Sequence, residues 1–185
     1  MKPKGIRSII SVFSLAVFML FSGTLPAKAA AVMGNNPSRF KGESLPVETV
    51  SWYDCQIFIQ KLNTLSGKHT FRLPTEEEWE YACRAGSIPL NWWGVHAGQL
   101  AEWEWYDCNS GQTNYPVGYN QNGWGLSDMT GNVWEWTDSL YNSSNHVIRG
   151  GRWSNLTTDC GYAYRGYSAP GTRLETIGFR LLLVQ

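Results

Sequence analysis

A chain of 185 residues suits one domain, and its 15 basic and 15 acidic residues balance. Residues 1–29 hold four of the cations (Lys2, Lys4, Arg7, Lys28) and no acid, so the remainder carries 11 minus 15, or −4. A mildly acidic body without basic clusters argues against nucleic acid as a partner.

The chain opens on a basic start and an apolar run from Ile9 to Leu25, followed by Pro26-Ala27-Lys28-Ala29-Ala30. The Ala27-x-Ala29 spacing suits signal peptidase, so residues 1–29 are expected to be a signal peptide cut after Ala29 or close by. The alternative is a single membrane anchor, for which a run of 17 residues stands at the lower limit of length. Cleavage leaves a periplasmic or secreted protein with no stable membrane anchor. That compartment is oxidising, and cysteines there usually pair. Cys55, Cys83, Cys108 and Cys160 allow three full pairings, which the sequence does not separate.

Residues 30–50 read as irregular, with Asn35-Asn36-Pro37 and Leu45-Pro46 as turn signals. A first helix is expected from Ser51 to about Ser66. Trp52, Cys55, Phe58, Ile59, Leu62 and Leu65 form its apolar stripe, with Ser51 as cap and Gly67 as stop. A strand at Phe71-Arg72-Leu73 leads to a second helix. Thr75 and Glu78 have the spacing of a capping box, and Glu76, Glu77 and Glu78 suit the positive end of the helix dipole. Trp79, Ala82 and Cys83 are its inward stripe, and Gly86 closes it. Residues 87–123 read as a long packed loop region, which at that length is functional or stapled. Residues 124–185 read as short strands separated by glycine turns. The expected class is α+β, two helices on a small twisted antiparallel sheet with much irregular structure. All ten Trp lie beyond residue 29 and serve either as core or as a stacking surface.

Four segments carry a resemblance. Phe71-Arg72-Leu73-Pro74-Thr75-Glu76-Glu77-Glu78-Trp79-Glu80-Tyr81-Ala82 and the stretch from Asn122 to Trp136 are the longest. Arg149-Gly150-Gly151-Arg152-Trp153 and Ile177-Gly178-Phe179-Arg180 complete the set. In this order they resemble the sulfatase-modifying-factor, or formylglycine-generating enzyme, family, whose fold is related to C-type lectins. The resemblance covers residues 32 to 185. It implies a single domain over 30–185 that lacks the family's opening strands, which would leave a sheet edge unpaired.

The resemblance also implies sites. A structural calcium would be held by Asp128 and Glu135 side chains and by the carbonyls of Gly131 and Val133, a set of oxygens calcium accepts. Alternatively, Glu135 pairs with an arginine, and Trp134 and Trp136 are core. The resembled enzymes oxidise a sulfatase cysteine with copper bound to a Cys-x4-Cys pair, the soft ligands copper(I) prefers. After Gly151 this chain has Cys160 alone, so copper is not expected. Cys83–Cys160 is the disulfide the resemblance suggests. His69, His96 and His146 lack the close spacing of the family's three-His iron sites. The carboxylates Glu76, Glu77, Glu78, Glu102, Glu104 and Asp107 show no nucleophile or triad spacing beside them.

Trp153, Tyr162, Tyr164, Arg165, Tyr167 and Arg173 gather late in the chain and are residue types that dominate recognition surfaces. They read either as a ligand surface or as core of a loop-rich fold. The expected function is an exported binding module of this family without the copper pair, for a peptide, a protein surface or a glycan. The alternative is a divergent oxidoreductase of the sulfatase-modifying type, using Cys160 with Cys55 or Cys108.

Overall fold

The computed structural model describes residues 16–17, 34–67, 70–86, 113–118, 121–154 and 163–184. Helix α1 spans Trp52–Ser66 and helix α2 spans Glu76–Arg84. Each starts on a reciprocal capping box. Ser51 and Asp54 exchange hydrogen bonds at the head of α1, and Thr75 and Glu78 do so at the head of α2. Two orphan donors are thereby satisfied at each end. Gly67 stops α1 in the left-handed region, while Ala85 does the same for α2 ahead of Gly86.

The described strands form two sheets. β1 (Ala16–Val17), β7 (Leu182–Val184) and β2 (Thr70–Arg72) make a three-stranded sheet in that spatial order. β5 (Arg165–Ser168), β4 (Asn145–Arg149), β3 (Trp134–Asn142) and β6 (Ile177–Phe179) make a four-stranded one. The class is α+β, as the sequence implies. The sheet is not wholly antiparallel, because β6 runs parallel to β3 with Trp134 opposite Ile177 and Trp136 opposite Phe179.

Strand alternation divides β3 between two environments. Trp134 and Trp136 join Cys55, Phe58 and Ile59 of α1 in the main core, with Phe71, Ile148, Ile177 and Leu183. Trp136 is fully buried and donates Nε1–H to the Val50 carbonyl at 2.9 Å. Glu135 points the opposite way, toward a second cluster of Trp79, Ala82, Cys83, Leu126 and Met129 under α2. Two expectations are corrected. Leu65 ends the helical stripe but is 72% exposed, in the last turn of α1 just ahead of the Gly67 stop. The extended stretch starts at Trp134 rather than 131, since Gly131 and Asn132 have φ of 78° and 60°.

Candidate functional site

Between α2 and the four-stranded sheet lies a layer of charges. Glu135, Arg149 and Arg165 sit side by side on β3, β4 and β5, as the register pairs Glu135 with Arg149 and Arg149 with Arg165. From α2, Glu80 accepts from Arg149 at 2.7 Å and from Arg84, its i+4 neighbour. Glu76 accepts from Arg165 at 2.6 Å and lies 3.7 Å from Arg149. Arg149 is 1% exposed, sits 5.3 Å over the Trp79 ring and donates to the carbonyl of Tyr164 at 3.1 Å. The acids of the first turn of α2 therefore do more than complement its dipole. Glu76, with Glu80 one turn on, clamps the helix to arginines two strands away.

The four positions expected to hold calcium are arranged differently from a cage. Glu135 accepts Arg180 Nε–H at 2.5 Å and Nη2–H at 2.6 Å, and Trp79 Nε1–H at 2.5 Å. Arg180 is buried and reaches the carbonyls of Ser127 and Asp128 at 3.2 and 3.3 Å. Asp128 accepts the Gly118 amide at 2.5 Å. Glu135 is thus neutralised by a guanidinium, the second of the two readings the sequence left open. The Gly131 carbonyl and the Val133 carbonyl lie in the turn before β3, off the strand alternation that was to align them. Among the described residues no three His, Cys, Asp or Glu side chains come together as a metal cluster. A guanidinium thus already lies on one of the two carboxylates of the set expected to hold calcium.

The described members of the late aromatic and arginine set separate into four places. Arg165 and Tyr167 share the α2-facing side of β5. Tyr167 stacks on Tyr141 of β3 at 4.3 Å and 18°, and the Arg165 guanidinium lies 4.9 Å over the same Tyr141 ring. Tyr141 and Tyr167 are 41% and 55% exposed. Tyr164 falls on the opposite side against Trp134 at 5.5 Å, where Gly166 leaves room for Ile148 and Trp134. Trp153 makes an edge contact with Phe40 at 6.4 Å. Tyr141 is the member that the sequence reading missed. Its exposed neighbour Leu140 gave a hint, two large side chains at the tip of a strand that was polar on both flanks.

Arg173 stands apart, holding Asp54 through Nε and Nη2 at 2.7 and 2.9 Å. With Val47, Val50, Phe58 and Phe179 this pair lines a cavity of about 350 Å³. Burial works against the Asp54 charge. Hydrogen bonds from Arg173 and Ser51 more than offset it, lowering the carboxyl from 3.8 to about 2. A depressed carboxylate contributes stability that is full above its unfolded value and fades as pH falls from about 4 to 2. In urea melts, the gap between the natural chain and Asp54→Asn should therefore narrow between pH 5 and pH 2.5. A gap that stays constant would show that the ion pair has no part in it.

Of the cysteines, Cys55 is a buried free thiol in the main core, and Cys83 is buried with Sγ 3.8 Å from the Met129 carbonyl. Burial, with the Asp54 charge next in the chain, pushes the Cys55 thiol well up. A buried thiol that resists ionisation is a poor copper ligand or redox partner, which removes Cys55 from the oxidoreductase alternative. Iodoacetamide at pH 8 is expected to leave Cys55 unmodified in the native protein and to label it fully in urea. Labelling without denaturant, read by peptide mass, would contradict this placement. Cys108, Cys160, Tyr162, His69, His96, Glu102, Glu104 and Asp107 lie outside the described residues, and with them the Cys83–Cys160 pairing.

The sequence profile of the sulfatase-modifying factor enzyme 1-like domain matches residues 12–184. The chain belongs to that family. The match starts inside the apolar N-terminal run, upstream of the stretch that carries the recognisable motifs. Within the family, the chain is 31% identical over 192 aligned residues to chaperone protein LppX of Paenibacillus barcinonensis, covering 73% of this chain and 68% of that protein. It is 32% identical over 164 residues to inactive C-alpha-formylglycine-generating enzyme 2 of Bos taurus, covering 73% and 49%. It therefore spans about half the length of that relative. The solved structure of Treponema denticola variable protein 1 superposes with a TM-score of 0.74 at 28% identity, over 84% of this chain and 80% of that one. Among the described residues, no helix is long and apolar enough to cross a membrane.

Proposed function

We propose that this family member is an exported binding module for polypeptide surfaces and not an oxidase. The observation that carries the reading is the braced aromatic pair on the four-stranded sheet. Tyr141 and Tyr167 are stacked in advance, exposed, and fixed by Arg165, which Glu76 holds in turn. Aromatic and arginine side chains already in place lose little freedom on binding, which favours them as recognition anchors. Four cysteines at 55, 83, 108 and 160 leave no Cys-x4-Cys pair for copper(I). One relative is named as a chaperone and another as an inactive enzyme, and both names agree with binding in place of oxidation.

The test uses fluorescein-labelled, reduced and carboxymethylated α-lactalbumin as an unfolded polypeptide probe. Anisotropy should show saturable binding, weakened about tenfold or more by Tyr141→Ala with Tyr167→Ala. The far-UV spectrum and melting temperature of the double variant should be close to those of the natural chain. No binding, or equal affinity for the double variant, sinks the reading; a shift of competition to an oligosaccharide would move the ligand class to a glycan. In parallel, copper(I)-loaded protein is expected to form no aldehyde on a cysteine peptide of sulfatase type.

A further inference from the structure

The cavity beside Asp54 and Arg173 opens between the start of α1, residues 47–50 and β6. Its walls are mainly apolar, with Val47 and Val50 on one side and Phe58 and Phe179 on the other. The two Phe rings meet edge to face at 5.5 Å, so they brace each other before anything binds. The charged part is one ion pair. Arg173 holds Asp54 through Nε and Nη2 at 2.7 and 2.9 Å. A guanidinium carries five N–H groups in a planar fork. Three therefore remain on Nη1 and Nη2, and no acceptor among the described residues takes them. Asp54 has no such spare capacity. Besides Arg173, it accepts from the Ser51 amide at 2.8 Å and from the Ser51 hydroxyl at 2.6 Å. What the pair has left to offer is a cationic donor, which selects an anionic acceptor.

Thr49 gives a second, independent observation. It lines the same cavity with φ at 60°, a left-handed conformation that is an outlier for a β-branched residue. Its amide donates to the Leu174 carbonyl at 3.0 Å, and its hydroxyl donates to the buried Glu48 carboxylate at 2.5 Å. Those bonds tie the wall to the residue after Arg173. Strain of this kind persists only where surrounding contacts over-determine it, and it gathers at ligand clamps.

We infer that this cavity is a binding site for a small free carboxylic acid with one ring or a short branched chain. The apolar part sits among Val47, Phe58 and Phe179, and the carboxylate accepts from the remaining N–H groups of Arg173. Volume sets the size of the occupant, because about 350 Å³ stands at the lower end of the ~300–1,000 Å³ range of small-molecule sites. Asp54 is a positioning residue. It fixes the guanidinium in advance and so lowers the cost of ordering it on binding. The cavity shares no lining residue with the Tyr141–Tyr167 surface and does not rest on the polypeptide-binding reading.

The experiment titrates 3-phenylpropanoate into the full chain and follows the methyl resonances of Val47 and Val50. The shifts should saturate. The neutral 3-phenylpropanamide should bind about tenfold more weakly or worse, the usual loss when a charge-assisted hydrogen bond is given up. That comparison needs no variant. Arg173→Gln should weaken the acid by a similar factor and leave the amide as it was. Val47→Phe, which fills the cavity, should abolish the Val50 shifts with either compound. Melting temperatures establish that both variants are folded. Four results would overturn the proposal. They are no saturable shift, equal affinity for acid and amide, undiminished binding in both variants, or a glycine-rich pentapeptide ending in a free phenylalanine that binds about tenfold more tightly than the acid. The last would make the occupant a chain terminus instead of a small molecule.

Discussion

Replacing Arg180 by Met is expected to cost about 3–5 kcal/mol, the usual loss when one partner of a buried ion pair is removed. Glu135 would keep its charge in a place where little solvent reaches it, with the Trp79 Nε1–H donor still in place but its guanidinium partner gone. The carbonyls of Ser127 and Asp128 would lose their guanidinium donor in the same step. Urea unfolding followed by tryptophan fluorescence reads the loss directly. Removing both charges, Glu135→Gln with Arg180→Met, should recover a large part of it, because the penalty lies in the unpaired carboxylate. A single-variant cost below about 1 kcal/mol would place the pair among those that solvent screens. EGTA gives the complementary measurement. With Arg180 on the carboxylate, chelation should leave the melting temperature unchanged, whereas a fall of several degrees would put a cation on Asp128 and Glu135.

What the sequence makes legible here is what short-range chemistry determines. Both helices and their first residues follow from the cap at Ser51 and from Thr75 with Glu78, local signals within one turn. The opposed faces of Trp134 and Glu135 follow from strand geometry alone. The charge layer is different in kind. Glu80 meets Arg149 across 69 residues of sequence and Glu135 meets Arg180 across 45. Nothing local to Glu76 or Glu80 distinguishes an acid that serves the helix dipole from one that grips a strand. The grouping of the late aromatic residues was hidden for a related reason. Period-two alternation groups Arg165 with Tyr167 and sets Tyr164 apart, but the third member, Tyr141, arrives through the β3–β4–β5 pairing, beyond an irregularity in β3 that shifts its register. Family motifs marked Arg149, Gly178 and Arg180 as important positions without saying what each one touches.

Gly178 shows what such a position can mean, and Gly178→Ala is expected to cost about 3 kcal/mol or more, at or above the usual range for overpacking. Its backbone has no positive φ, so conformational freedom is not the reason for glycine. The reason is crowding. A Cβ there would lie 2.4 Å from the Val47 carbonyl oxygen and 3.2 Å from Val133 Cγ2. The first of these is backbone, fixed by the bridge that pairs Glu48 with Gly178, and cannot swing aside as a side chain would. Gly178 also faces Glu135 across the β3–β6 pair, so a strand that moves to admit a methyl group drags the Glu135–Arg180 contact with it. Gly166→Ala should cost less. Its Cβ would meet Ile148 Cγ1 at 2.9 Å and Trp134 Cη2 at 3.3 Å, side-chain atoms where Gly178 meets a backbone carbonyl. Gly171→Ala, with nothing within 4 Å, should be neutral or slightly stabilising through the unfolded chain. Midpoints of urea denaturation for the three variants test this order. Equal midpoints for Gly178→Ala and Gly171→Ala would mean that β6 is free to move away from Val47. The close seating of β6 between residues 47–48 and β3 would then not be what holds Arg180 against Glu135.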